Sequence, residues 1–332
     1  VCANSKFKSI IYFAGEYKDL FKIIMKKQKR KVHMFNYKYF DKKSIFIIFM
    51  LLFSSMCFFS SPLYASSDDK EPPKIGNFAV TNSPSSLISF GQHIVSKNHG
   101  IVYFFADYFA GKRRHNTDLI PSLLYGVTDN FSVFFNVPIA ASLKYDDNHS
   151  SGLEDMFLQT EYAFYSDKTC QYTELATLVA NVTFPTGSSK KNPNTGIGTS
   201  SFLLGATYNR TYTDWYGFTS PGVILTTSDE GTKYGNQFLY QFGLGRNIFS
   251  INSEWTIALL VELNGNYTQK NKIRGTTDPN SGGNVINITP SLWISSNNLI
   301  LQLGIGVPAV QHLNGQQNKN EYLLAANIGW SF

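Results

Sequence analysis

The chain has 332 residues, of which 16% are charged and 15% aromatic, a balance poor in charge and rich in rings for a soluble domain. A mean hydropathy of −0.15 excludes a bundle of membrane-spanning helices. The net charge of +6 is unevenly placed: residues 1–65 hold 12 Lys+Arg against 3 Asp+Glu, and residues 66–332 hold 17 against 20. The basic excess belongs to the first segment, which removes nucleic acid as an expected partner.

Residues 44–59 form the one long apolar run. Lys42 and Lys43 precede it, and Ser-Pro-Leu-Tyr-Ala follows, ending at Ala65. A basic flank, a short apolar stretch and a small residue at the cut read as a secretory signal peptide over about 34–65, starting at Met34. Residues 1–33 read as an upstream extension. Removing 1–65 takes Cys2 and Cys57 with it and leaves Cys170 alone, so no internal disulfide is expected. Residues 66–98 carry Pro72, Pro73 and Pro84 among many Ser and Asn. They read as either a periplasmic arm or a plug, with 86–95 as an ordered piece.

From residue 99 onward the pattern is alternation. In 254–267, Trp255, Ile257, Leu259, Val261 and Leu263 alternate with Thr256, Ala258, Leu260, Glu262 and Asn264. In 237–245, Phe238, Tyr240, Phe242 and Leu244 alternate with Gln237, Leu239, Gln241 and Gly243. Period-2 patterning means strands. The less apolar face is mostly Gly, Ser, Thr, Asn and Gln rather than Lys and Glu, which suits the interior of a membrane barrel rather than a wetted sheet. Twelve segments are expected, about 100–110, 118–126, 130–141, 153–166, 173–185, 199–213, 214–227, 234–248, 253–269, 283–296, 298–309 and 319–332. The links alternate between short (at Thr128-Asp129-Asn130, Thr213-Asp214 and Ser296-Asn297) and longer, at 142–152, 186–198, 227–233, 270–282 and 310–318. The fold expected is therefore all-β, a transmembrane antiparallel up-and-down barrel of about twelve strands over 99–332. It would lie in the outer membrane of a Gram-negative bacterium with both termini periplasmic.

Glu161, Glu262, Gln241 and Trp293 have lumen parity and are the candidate solute contacts. Paired carboxylates inside a barrel also suit an internal network. Arg210 and Arg246 have lipid parity near strand ends, where snorkelling to head groups is expected. Lys112, Arg113 and Arg114 in the first outer loop could meet lipopolysaccharide phosphates. The histidines past the leader (His93, His99, His115, His149 and His312) fall in the arm or the loops with no metal-ligand spacing. Neither a metal, a cofactor nor an enzyme is expected.

From about residue 119 onward the chain resembles the outer-membrane barrel family named for the meta-pathway of phenol degradation. Phe184-Pro185-Thr186-Gly187-Ser188 is similar to its Pro-Thr-Gly signature, and Gly196-Ile197-Gly198-Thr199-Ser200 to its Gly-x-Gly-Thr/Ser element. Gly152-Leu153-Glu154-Asp155 resembles its Gly-Leu-Gly-Asp element, with Glu154 replacing the second glycine. Glu262, Ser281-Gly282-Gly283, Thr289-Pro290 and Gly306-Val307-Pro308 follow in the family's order; Glu161 departs from it, standing where relatives often have Lys. The resemblance implies a transporter of small, hydrophobic or aromatic solutes. Tyr322, Leu324, Ile328, Trp330 and Phe332 resemble the terminal signal read by the barrel-assembly machinery, by strand addition. Expected partners are thus outer-membrane lipid and lipopolysaccharide, that machinery and a small solute. The alternative is a sealed structural barrel whose outer loops carry adhesion or lipopolysaccharide contact.

Overall fold

A computed structural model describes residues 85–332 apart from 230 and 252–254. The signal peptide, its upstream extension and residues 66–84 lie outside the described residues.

The described residues form strands β1 (Gly100–Gly111), β2 (Arg114–Thr128), β3 (Phe131–Asn136), β4 (Ile139–Tyr145), β5 (Asn148–Leu153), β6 (Phe157–Lys168), β7 (Tyr172–Thr183), β8 (Ser201–Tyr212) and β9 (Trp215–Thr226). After two short strands, β10 (Ser228–Asp229) and β11 (Thr232–Lys233), come β12 (Gln237–Ile251) and β13 (Trp255–Thr268). Two more short strands, β14 (Lys272–Ile273) and β15 (Thr276–Thr277), precede β16 (Gly283–Ser295), β17 (Leu299–Leu313) and β18 (Asn320–Ser331). Neighbouring barrel strands are antiparallel. β1 closes the circle by pairing with β18 on one side and β2 on the other. Closure leaves no edge, the condition a sheet must meet to span lipid.

β3 and β4 are one stave broken at Val137-Pro138, since proline has no N–H to give the ladder. β5 and β6 are one stave broken at 154–156. The barrel therefore has twelve staves, as the alternation predicts. Its outer face carries the apolar parity: Leu178, Leu204 and Phe242 are all more than half exposed. On the same strands Thr177, Ser201 and Gln241 are buried inside.

Four of the links differ from their expected form. The 142–152 link is mostly paired strand, with β4 and β5 joined through Asp146-Asp147. The first link is just Lys112-Arg113, so Arg114 already belongs to β2, and Arg113 pairs with Asp146 at the adjacent hairpin tip. The 227–233 and 270–282 links pair β10, β11, β14 and β15 into a small separate sheet. Past the apolar band a strand needs no oily face, so polar composition reads as loop while the backbone still pairs. His115, His149 and His312 consequently lie on strands rather than in loops.

The break at 154–156 has a structural purpose. The Asp155 carboxylate accepts N–H bonds from Gly187 (2.9 Å) and Ile197 (2.8 Å), while the Thr186 hydroxyl donates to the Glu154 carbonyl at 2.8 Å. A Cβ on Gly196 would lie 2.4 Å from Asp155 Oδ1, so only glycine lets the loop approach this closely. The three Gly- and Pro-containing elements that carry the family resemblance thus meet at one node.

Placing a charge on the outer face tests the assignment of faces. Leu204→Arg should lower the unfolding free energy in lipid vesicles by about 2–4 kcal/mol, read by urea titration of the folded barrel.

Candidate functional site

The lumen is crossed by residues 85–96, which form neither helix nor strand. This belt follows the inner wall in the order of the staves. Val95 N–H donates to Ser132 Oγ on β3 at 3.0 Å. Gln92 and His93 N–H groups donate to the two oxygens of Glu161 on β6, at 2.9 and 2.8 Å. Phe90 N–H donates to Gln241 Oε1 on β12 at 3.1 Å. Leu87 and Ser89 N–H groups donate to Glu262 on β13 at 2.6 and 2.9 Å, and the Ser89 hydroxyl adds a bond of 2.7 Å. The circuit ends at β17, where Gln302 Nε2 donates to the Ser85 carbonyl at 3.3 Å.

The two carboxylates are almost wholly enclosed, Glu161 at 1% and Glu262 at 0% exposure. Among the described residues no Lys or Arg lies within ion-pair distance of either; only His93 Nδ1 approaches Glu161, at 3.9 Å. Burying an ionised carboxylate costs several kcal/mol unless donors replace its water. Here the donors are backbone amides of the belt, with the Ser89 hydroxyl and the Asn264 amide added at Glu262 and the Thr177 hydroxyl, 2.6 Å away, at Glu161. Belt and wall each satisfy what the other leaves open.

Shape agrees with this chemistry. The Phe90 ring lies on Gly205 and Gly222, which pair across β8 and β9. A Cβ on either would sit 2.6 to 2.8 Å from ring carbons, so the wall is hollowed for one aromatic side chain. Below the belt, toward the short-turn end, Val95 packs with Ile101, Tyr103, Leu124, Phe134, Ala258, Trp293 and Ile300 in a dry cluster.

The four expected lumen residues all face inward, and they divide in two. Glu161, Glu262 and Gln241 hold the belt; Trp293 belongs to the apolar seal. Gln302, a polar residue of lumen parity, completes the belt's wall with Ser132 and the Gly205/Gly222 floor, and these last are not singled out by the sequence. Lumen parity could have flagged them, but nothing local distinguishes a glycine under a ring from any other strand glycine. The arginines of lipid parity differ from the expected snorkelling: Arg210 lies 2.5 Å from Glu174 and 4.1 Å from the Tyr172 ring centre, and Arg246, over Trp215, is buried rather than reaching outward.

Two substitutions check the fit of belt to wall by hydrogen exchange. Glu262→Gln puts a donor where only acceptors serve; at about 1.5–3 kcal/mol for a charged hydrogen bond, the amides of Leu87 and Ser89 should exchange roughly 10- to 100-fold faster. Gly222→Val should displace Phe90 and speed exchange of the Phe90 amide, with the Gly187 amide bound to Asp155 unchanged.

No protein-family model matches the chain, and neither does any curated protein; the resemblance to the phenol-pathway family is therefore not confirmed. Among solved structures, an outer membrane channel from Pseudomonas putida F1 is 14% identical, with 74% of this chain and 100% of that chain covered and a TM-score of 0.62. The NanC porin is 13% identical over 69% of this chain and 98% of that one, with a TM-score of 0.42. The first likeness is one of fold, and with the closed circle of strands it makes this chain a twelve-stranded barrel of the outer-membrane type.

Proposed function

We propose that the protein is an outer-membrane channel for passive, non-enzymatic passage of a small solute of aromatic or hydrophobic character, regulated by its own belt. It would sit in a Gram-negative outer membrane with the short-turn end and both termini periplasmic. The observation that carries this reading is how the lumen is filled. A barrel built only to be sealed can fill its interior with wall side chains. This one keeps a polar wall and closes it with a segment held by side-chain hydrogen bonds rather than by a strand ladder. The outer-membrane fold and the outward apolar band support the location. The alternating terminal strand Tyr322, Leu324, Ile328, Trp330 and Phe332 supports delivery by the barrel-assembly machinery.

One observation favours the second reading, a sealed barrel acting through its outer loops in adhesion or lipopolysaccharide contact. The apolar cluster around Val95 and Trp293 closes the short-turn end tightly, with exposures from 0% to 6%.

Single-channel recording in a planar bilayer separates the two. The folded protein, verified by heat-modifiable gel migration, should show rare, small openings. Glu161→Gln combined with Glu262→Gln should raise open probability at least several-fold. Silence from both folded proteins would favour the sealed barrel.

A further inference from the structure

We infer that the lumen wall is a binding site for short peptide-like solutes bearing an aromatic side chain, and that the belt is its resident mimic. This rests on the channel reading and names its solute class. The wall presents acceptors in a fixed order. Glu262 takes the N–H groups of Leu87 and Ser89, Gln241 that of Phe90, and Glu161 those of Gln92 and His93. These partners are main-chain atoms, so the wall reads a peptide backbone. The side chains the wall does read are Phe90, whose ring has a floor made of two glycines, Leu87, which lies on Gly304, Ser89, whose hydroxyl donates to Glu262, and His93, whose ring meets Gln159 and stacks on Phe134. An anionic solute would meet two buried carboxylates with no neighbouring Lys or Arg among the described residues and is rejected. A purely hydrocarbon solute would leave the same carboxylates only the Thr177 hydroxyl and the Asn264 amide as donors. A peptide-like amide with an aromatic group satisfies both the polar line and the cradle, as the belt does.

The test removes the mimic and leaves the wall intact. Leu87→Pro, Ser89→Pro and His93→Pro together delete three N–H donors, because proline has none. The probe is the fluorescently tagged, end-capped peptide Ser-Ser-Leu-Ile-Ser-Phe-Gly-Gln-His-Ile-Val, read by anisotropy on detergent-folded full-length protein. The original chain should bind it negligibly and the proline variant saturably. The same peptide with Ala in place of Phe should bind about tenfold more weakly, as expected for an unfilled aromatic site. Adding Glu161→Gln and Glu262→Gln should abolish binding. Should the proline variant fail to fold, Ser89→Pro alone, which deletes both the amide and the hydroxyl donated to Glu262, takes its place. A folded variant that binds no better than the original chain overturns the inference, as does binding that survives loss of both carboxylates. Conductance of the proline variant keeps the two readings apart. Current steps without peptide binding leave the channel standing and sink the peptide site. Peptide binding without current does the reverse.

Discussion

Two carboxylates buried in a barrel with no Lys or Arg beside them among the described residues impose the constraint on which the interior depends. Glu161 and Glu262 must be surrounded by donors, and strand backbones cannot supply them, because the ladder already uses their N–H groups. Wall side chains supply one donor each, Thr177 to Glu161 and Asn264 to Glu262, and the remaining donors come from a chain segment outside the ladder. Residues 85–96 are that segment, and their lack of regular structure is what leaves their amides free. The belt's irregularity and the wall's polarity are thus two sides of one requirement.

Much of the barrel was legible in the sequence because the pleat is a strict physical code. A side chain two residues on points to the same face, and lipid on one side leaves little tolerance for error. This is why the parity of Phe238, Tyr240 and Phe242 against Gln237, Leu239 and Gln241 is found unchanged in the structure. The code fades where its cause ends. Beyond the apolar band neither face needs to be oily, so the β4–β5 hairpin and the small four-stranded sheet look like loops in composition. Proline 138 interrupts a stave without disturbing the alternation around it, so the break is invisible to periodicity.

The site was legible by half. Lumen parity marked Glu161, Glu262 and Gln241, since polar residues between oily neighbours stand out. Their partners did not, because main-chain amides leave no trace in a sequence. The Gly205/Gly222 floor was equally silent, as its meaning lies in a ring more than a hundred residues away in the chain. The node at Asp155 is similar: its three elements stand apart in the sequence, and only the fold shows that one carboxylate ties them together.

The belt also orders events in time. Its bonds to Glu262 join residues 173 to 175 positions apart, and those to Glu161 residues 68 and 69 apart. Contacts at such separation carry a large loop-closure penalty and form late. Each requires a stave already in position, from β3 round to β17. The belt can therefore seat on its full set of acceptors only once the staves that carry them have come together.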